Sequence, residues 1–318
     1  MNSFCTIITA NYLPKAVALY KSIVRYDANV KLYVLVTENK PTAPLATSFE
    51  GIEIMYVSDL ERYPLVNELY KKYAHIDLDF FRWSLKPVLI NYLLEKKVTK
   101  ILYVDCDMFF VNDYQFLFDD LDQSSVLLTP HWKNSDPLEN SESFFELFRS
   151  GIFTAGFIGA NRQAIPALQW WANACHFMMG EHPSLSIHDD QRYLDIFPVY
   201  FEGIKIIRHQ GCTVGAWSYE HCKRTLVNNE VLINNKYPII FIHFDNMLVS
   251  QILKGYDPLL LPYLNDYQKV FSESGSDLAD FLDNIQTYAK ASMIKKFKWK
   301  FRIRTRIKRF FYYLARSI

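Results

Sequence analysis

Two aspartates separated by one residue carry the clearest chemical signal in the chain. Asp105 and Asp107 follow an apolar run, residues 100–104, that has the composition of a buried strand. In extended chain, side chains two positions apart point the same way, so the two carboxylates converge where the strand ends. A divalent cation such as Mn²⁺ or Mg²⁺ relieves their repulsion and can in turn hold diphosphate oxygens. The pattern favours a metal site over a pair of solvated turn aspartates.

A histidine at the end of another apolar run is the candidate for a third metal ligand. His243 ends residues 238–243, which also have the composition of a buried strand. A histidine in that position is, on its own, more commonly a core or capping residue. With Asp105 and Asp107 as partners, the favoured interpretation becomes a neutral imidazole that completes the cation site.

The elements that must position these residues alternate along the first part of the chain. A helical pattern covers residues 85–94, and strand patterns cover residues 4–9, 31–37, 51–57 and 100–105. Strand, helix and strand joined by short turns predict an α/β fold, with a Rossmann-like, mostly parallel central sheet flanked by helices. Ligands of such sheets bind beyond the carboxyl ends of the strands, where the aspartate pair lies.

The second half of the chain is less regular. We expect a strand at residues 155–160, a helix at 166–179, the start of a helix within 190–197, and a strand at 238–243. Residues 131–150 are polar and rich in turn-forming side chains at first, which predicts an irregular loop over the site. Substrate contacts are expected from this loop, although the sequence identifies no individual residue there.

Composition limits the classes of protein to which the chain can belong. Of its 318 residues, 50% are apolar and 22% charged, which excludes a disordered protein. No apolar run approaches the roughly 20 residues of a spanning helix, which predicts a soluble or peripheral protein. Five scattered cysteines without C-x-x-C spacing predict neither a disulfide framework nor a structural zinc site. Without an evident secretory signal, we expect a cytoplasmic location.

The charges are concentrated at the C-terminus. Residues 290–318 contain 11 Lys and Arg and no acidic residue, whereas the rest of the chain has 24 basic and 34 acidic side chains. Apolar residues recur at helical spacing from Ile303 to Ile318, which favours a basic amphipathic helix on an anionic membrane surface over nucleic-acid binding. We therefore expect one catalytic-type domain over residues 1–285 and a membrane-associating tail over 286–318, peripheral on the inner face of a membrane.

Several short segments are similar, in order and spacing, to motifs of one enzyme family. ILYVDCDMFFVND resembles the metal-binding motif of GT-A fold nucleotide-sugar glycosyltransferases, particularly glycosyltransferase family 8 and its bacterial lipopolysaccharide and lipooligosaccharide relatives. Residues 153–161 resemble the family's N-A-G-V segment, Asp190-Gln191 with Leu194 its D-Q-x-x-L-N motif, and Ile242-His243-Phe244 its histidine segment. The similarity extends over residues 4–245.

The resemblance implies a role for each matching residue. Asp105, Asp107 and His243 would hold Mn²⁺ or Mg²⁺. Asp190 and Gln191 would be catalytic, although either could instead cap a helix. Trp217 follows two glycines, Gly211 and Gly215, and suits a tight loop that approaches a sugar, and a core position fits it equally well. The residues implied to bind the nucleotide-sugar donor are Thr9, Ala10, Asn11, Tyr12, Arg82, Lys86, Asp105, Cys106, Ala155, Gly156 and Trp217.

The sequence also departs from the family pattern. After His243 the family usually continues with Gly and with a Lys that binds a donor phosphate, whereas here Phe244-Asp245-Asn246-Met247 follows, with no lysine until Lys254. Thr9-Ala10 stands where an acidic pair is common, and Thr154 where Asn is usual. These differences leave the donor and the stereochemical outcome open.

Together, the motifs and the resemblance predict a metal-dependent hexosyltransferase. It would move a hexose from a nucleotide-diphosphate sugar, UDP-linked by resemblance, to a hydroxyl of a lipid-linked or surface glycan, as in lipopolysaccharide biosynthesis. Two alternatives remain open: an inverting GT-A enzyme with another nucleotide-sugar donor, or a non-catalytic nucleotide-sugar-binding scaffold on the membrane. Nucleic acid is not an expected partner.

Overall fold

A computed structural model describes residues 1–38, 40, 49–182 and 187–274. The expected boundary at residue 285 and the basic tail lie outside these residues. No helix among the described residues has the length and apolar character needed to cross a bilayer.

The strands are β1 (Ser3–Ile8), β2 (Lys31–Val36), β3 (Ile52–Tyr56), β4 (Lys100–Val104), β5 (Met108–Phe110), β6 (Val126–Pro130), β7 (Phe153–Asn161), β8 (Glu181–His182), β9 (Ile187–His188), β10 (Ile204–Ile206), β11 (Arg224–Val227), β12 (Glu230–Ile233), β13 (Tyr237–Pro238) and β14 (Phe241–His243). The helices are α1 (Leu13–Ile23), α2 (Pro64–Tyr73), α3 (Leu78–Ser84), α4 (Lys86–Lys96), α5 (Gln115–Asp120), α6 (Ser141–Ser150), α7 (Ile165–Phe177), α8 (Phe197–Tyr200), α9 (Asn246–Leu253) and α10 (Leu261–Ser272).

A seven-stranded sheet forms the centre of the fold, with strand order β10-β6-β7-β4-β1-β2-β3. β1 pairs in parallel with β2 and with β4, β2 with β3, and β10 with β6. β7 runs antiparallel to both of its neighbours, β4 and β6. The predicted fold class, a mostly parallel α/β sheet flanked by helices, is confirmed.

The alternation of side chains along β4 shows why its sequence lacks charged residues from Ile101 to Val104. Ile101 and Tyr103 pack into the core beneath α4 and α7, whereas Leu102 and Val104 pack into the core beneath α1. A strand covered on both faces needs apolar residues at every position rather than at every second one. The sequence therefore changes from buried apolar residues to aspartates where the strand ends.

Three expectations about the second half of the chain differ in detail from the structure. Residues 141–150 form helix α6 rather than a loop, because the polar residues at its start include an N-cap, Asn140, whose side chain accepts a hydrogen bond from the backbone N–H of Ser143 at 3.0 Å. The single strand expected over 238–243 is divided into β13 and β14, which belong to different small sheets. Residues 190–197, expected to start a helix, form a 3-10 helix, Gln191–Ile196, followed by the short α8.

A two-stranded ribbon brings a distant part of the chain to the end of β4. β14 pairs antiparallel with β5, and the register places His243 opposite Met108. The backbone N–H of Phe244 donates to the carbonyl oxygen of Asp107 at 2.9 Å. His243 is thereby held beside the aspartate pair although 135 positions separate it from Met108 in the chain.

A buried ion pair joins β11 to the segment before α10. Arg224 Nε lies 3.0 Å from Asp257 Oδ2, and both side chains are only 2% exposed. The guanidinium also donates to the carbonyl oxygens of Cys222 and Gly215. Removing one member of such a pair leaves an uncompensated buried charge, which is far more costly than losing an exposed pair.

We predict that Asp257→Ala lowers the free energy of unfolding by about 3–5 kcal/mol, because it leaves the Arg224 guanidinium buried without a carboxylate. Urea denaturation followed by circular dichroism measures the change. Asp266→Ala is the matched control, since Asp266 pairs with Arg25 but is 39% exposed, and we expect it to cost about 1 kcal/mol or less. Equal losses in the two variants would contradict the prediction.

Candidate active site

Two adjoining chambers lie at the carboxyl ends of β1 and β4. The larger has a volume of about 530 Å³ and the smaller about 210 Å³, and Trp83, Asp105 and His243 line both. The other residues of the larger chamber are Lys86, His131, Lys133, Glu146, Ser150, Thr154, Ala155, Gly156, Asp189, Asp190, Gln191, Trp217 and Met247. The other residues of the smaller chamber are Ile7, Tyr12, Lys15, Arg82, Tyr103, Cys106, Asp107 and Asn246.

Most residues singled out in the sequence meet at these chambers. The lining side chains include all three predicted metal ligands and both predicted catalytic residues. They also include seven further residues that were predicted to bind the donor. Thr9, Ala10 and Asn11 are not among them. The backbone N–H of Ala10 instead donates to the carboxylate of Glu38, at 2.9 and 3.0 Å, and Asn11 is exposed at the start of the same short 3-10 helix.

Asp107 and His243 form a close pair on the wall of the smaller chamber. His243 Nε2 lies 3.0 Å from Asp107 Oδ1. Burial lowers the pKa of His243, but the carboxylate beside it has the larger combined effect and raises that pKa to about 9. Burial likewise raises the pKa of Asp107, and the imidazolium outweighs this, so that the pKa lies well below its usual range. The pair is therefore an ion pair in the metal-free protein.

The same distance is compatible with a bound cation. Two adjacent ligands of an octahedral ion with bonds of about 2.1 Å are themselves about 3.0 Å apart, which is the Asp107–His243 separation. Among the described residues, however, no three His, Cys, Asp or Glu side chains are already arranged to hold a metal ion. Two of the three predicted ligands, Asp107 and His243, are thus placed side by side, and the third, Asp105, makes other contacts.

Asp105 is held by its own neighbours. The Tyr103 hydroxyl donates to Asp105 Oδ1 at 2.8 Å, and Lys86 Nζ lies 3.6 Å from the same oxygen. The other oxygen, Oδ2, lies against Gly156, where an added Cβ would be 2.9 Å from Oδ2 and 3.2 Å from His243 Cε1. The absence of a side chain at Gly156 therefore allows Asp105 and His243 to approach the same point, and oxygen and imidazole ligands there suit a hard divalent cation.

Lys86 connects Asp105 to the predicted catalytic residue. Its ammonium lies 3.1 Å from Asp190 Oδ2 and donates to the carbonyl oxygen of Ala155 at 3.2 Å. Burial lowers the pKa of Lys86, but the two carboxylates outweigh burial and raise it, so the side chain stays charged. The Asp190 side chain makes no capping hydrogen bond to the helix that follows. The Asp190 side chain therefore does not cap this helix.

Trp217 forms part of the wall of the larger chamber. Its ring packs edge-to-face against His243 and His131, with centroid distances of 5.4 and 5.7 Å. An added Cβ on Gly215 would lie 2.6 Å from the indole, which explains the glycine on this side of the loop. The indole thus contacts two histidines that line the chamber, His243 and His131.

The structure adds residues that the sequence did not identify. Lys15 in the smaller chamber comes from the first turn of α1, and its position directly after the first strand was an available signal. His131, Lys133, Glu146 and Ser150 come from the segment in which contacts were expected but no residue could be named. Their positions depend on how α6 folds back over the sheet, which no local pattern records.

We predict that Lys86→Met costs about 3–5 kcal/mol of unfolding free energy because it leaves two carboxylates without their buried cation. Asp190→Asn removes one of those charges. The double variant should therefore lose less unfolding free energy than the sum of the two single variants, by about 1 kcal/mol or more. Urea unfolding of the four proteins of this cycle measures the coupling. A control cycle of Lys86→Met with Asp266→Ala should be additive, and equal coupling in both cycles would contradict the assignment.

Comparisons with known proteins give distant similarities. No protein-family model matches the chain. Two proteins of Bacillus subtilis (strain 168), the uncharacterized YfnF and YfnD, are 24% identical over 257 residues (79% of this chain, 83% of YfnF) and 25% identical over 303 residues (88% and 93%). A crystal structure of the galactosyltransferase LgtC with donor and acceptor sugar analogues covers 81% of this chain and 94% of its own, at 16% identity and a TM-score of 0.47. We infer function below from the side chains of the chambers rather than from these similarities.

Proposed function

We propose that the chain is a metal-dependent glycosyltransferase that transfers a hexose from a nucleotide-diphosphate sugar, with UDP as the favoured nucleotide, to a glycan hydroxyl. The observation that carries the proposal is the pair of adjoining chambers. The smaller combines carboxylates and an imidazole with two cationic side chains, and the larger adds the Asp190–Lys86 pair. Asp105 and His243 line both chambers, so a donor's diphosphate and its sugar would lie on either side of them.

The cations of the smaller chamber suit a diphosphate. Lys15 Nζ lies 4.7 Å from the centre of the Tyr12 ring, and Arg82 Cζ lies 5.7 Å from it. Arg82 pairs with Asp79 through Nη2 at 2.8 Å, but its Nε is buried and has no hydrogen-bond partner among the described residues. Phosphate oxygens accept charge-assisted hydrogen bonds from such donors, and an aromatic face beside them can stack on a base.

Asp107, His243 and Asp105 are the residues that would hold a divalent cation. Mn²⁺ or Mg²⁺ bound there would supply positive charge for a departing diphosphate. Lys86 and the Tyr103 hydroxyl fix Asp105 in the metal-free protein. The lysine therefore sets how readily this carboxylate turns toward the other two ligands.

The larger chamber supplies the groups for glycosyl transfer. The bond from the anomeric carbon to the diphosphate oxygen breaks with its electron pair on that oxygen, and the acceptor hydroxyl oxygen forms the new bond as its proton passes to a base. Burial raises the pKa of Asp190, and the Lys86 ammonium, 3.1 Å from Oδ2, opposes this shift only in part while it engages that oxygen. We infer that Asp190, with Gln191, orients sugar hydroxyls and stabilises positive charge at the anomeric carbon. A diphosphate oxygen acting as the base would give retention of configuration.

We predict that a panel of nucleotide sugars yields one donor that raises the melting temperature of the wild type only with Mn²⁺, because Asp107 and His243 need the cation to engage the diphosphate. Asp107→Ala should abolish this shift and lower kcat/KM for transfer or donor hydrolysis by a factor on the order of 10² or more. Asp113→Ala, at an exposed aspartate nearby, is the control and should leave both unchanged. A metal-dependent shift without turnover would instead support a nucleotide-sugar-binding scaffold.

We also propose that the protein associates peripherally with an anionic membrane and acts on a lipid-linked or surface glycan. Support comes from the sequence alone: 11 basic residues and no acidic ones over 290–318, interleaved with aromatic side chains. A basic helix with an apolar stripe lies in the interface of anionic bilayers, and each basic residue adds about 1 kcal/mol of attraction. A tail of this kind would bring the site close to a membrane-embedded acceptor.

We predict that deletion of residues 290–318 abolishes co-sedimentation with vesicles containing phosphatidylglycerol and leaves transfer to a water-soluble acceptor intact. Neutral phosphatidylcholine vesicles are the control and should bind neither protein, because the attraction depends on anionic headgroups. Vesicle binding that persists after the deletion would place the membrane contact elsewhere on the protein.

A further inference from the structure

The larger chamber has two chemically different ends. At the first end, the backbone N–H of Asp105 donates to the carbonyl oxygen of Gly156 at 2.9 Å. At the second end, the backbone N–H of His131 donates to the carbonyl oxygen of Ile152 at 2.8 Å. Ile152 and Gly156 are four positions apart in the chain, which in extended conformation corresponds to a distance of about 13 Å. This exceeds the width of a single hexose ring. The end near His131 therefore lies beyond the space that the donor sugar needs.

A lysine at this second end is buried but poorly neutralised. The Lys133 side chain is 10% exposed, its ammonium donates to the Ser150 hydroxyl, and the nearest carboxylate oxygen, on Glu146, is 4.0 Å away. Glu146 is also paired with Arg149, so one carboxylate serves two cations. Lys86, in contrast, has two carboxylates, at 3.1 and 3.6 Å. Burial lowers the pKa of Lys133, with only partial opposition from Glu146.

A second buried donor lines the same chamber. The indole Nε1 of Trp217 is buried and has no hydrogen-bond partner among the described residues. The indole packs edge-to-face on His131, two residues before Lys133, and both residues line the chamber. Buried donors without acceptors are costly unless a ligand or water satisfies them. A buried ammonium with incomplete neutralisation and an indole N–H without an acceptor, both in one chamber, mark a place for an anionic acceptor group.

We propose that Lys133 and the Trp217 indole form a subsite for an anionic substituent of the acceptor, so that the substrate is an acidic glycan. The substituent is a uronate carboxylate or a sugar phosphate, either of which would accept from both donors and neutralise the ammonium. A neutral sugar hydroxyl could accept from these donors but would not neutralise the ammonium, and hydrogen bonds to a charged acceptor are the stronger ones. The proposal rests on the proposed glycosyl transfer, in which the far end of the chamber receives the acceptor.

The test compares sugars that differ only in charge. Methyl β-D-glucuronide, methyl β-D-glucoside 6-phosphate and neutral methyl β-D-glucoside are titrated into the full chain with UDP and Mn²⁺ present, and affinities are read from ligand-observed NMR. We expect at least one acidic sugar to bind about tenfold more tightly than the neutral one. The relative affinities of the two acidic sugars show whether the substituent is a carboxylate or a phosphate.

Variants separate this subsite from a general effect of charge. Lys133→Met should abolish the preference, Lys133→Arg should keep it, and Trp217→Phe, which keeps a ring but removes the N–H, should reduce it. Lys205→Met removes one positive charge at a more exposed position paired with Asp120, and should leave the preference unchanged.

Equal affinity of the wild type for acidic and neutral sugars, absence of binding by all three, or a preference that survives Lys133→Met would overturn the proposal. UDP binding, recorded in the same samples, confirms that the variants are folded and judges the glycosyltransferase proposal separately. If UDP fails to bind to the wild type, a UDP-linked donor is excluded from the proposed function, and the sugar titrations still decide the subsite.

Discussion

The buried ammonium of Lys86 is the interaction on which the arrangement of the site depends. It lies between Asp105 and Asp190, which belong to segments 85 positions apart, and contacts the carbonyl oxygen of Ala155 on the strand between them. Two carboxylates could not share this buried space without a cation. Because the lysine is the first residue of α4, the helix and the ends of β4 and β7 are held in one geometry by one charge.

The parts that could be predicted from the sequence are those with a local physical signature. β4 is apolar at consecutive positions because both of its faces are covered, so the strand and the aspartates after it were recognisable together. Lys86 and Asp190 were both identified through a resemblance. The conclusion that ligands bind at the carboxyl ends of the strands followed from the α/β alternation alone.

The parts that could not be predicted depend on contacts between distant segments. The polar start of α6 resembled a loop because an N-cap and a loop use the same residues, and only Ser150 of this helix is buried, so no apolar buried face marked it as a helix. Lys133 has no local feature that separates it from a solvated lysine. Its role depends on Ser150, which helix α6 brings back beside it, and on the indole of Trp217 from a loop more than eighty residues further along.

The ribbon between β5 and β14 has a consequence for the order in which the protein becomes active during synthesis. β5 is made before residue 111, but its partner strand and His243 follow more than 130 residues later. A nascent chain can form β1, β2 and β4 and expose the aspartate pair long before the imidazole exists. Ligand binding that uses all three side chains would therefore begin only after most of the chain has left the ribosome, which keeps half-made copies inactive.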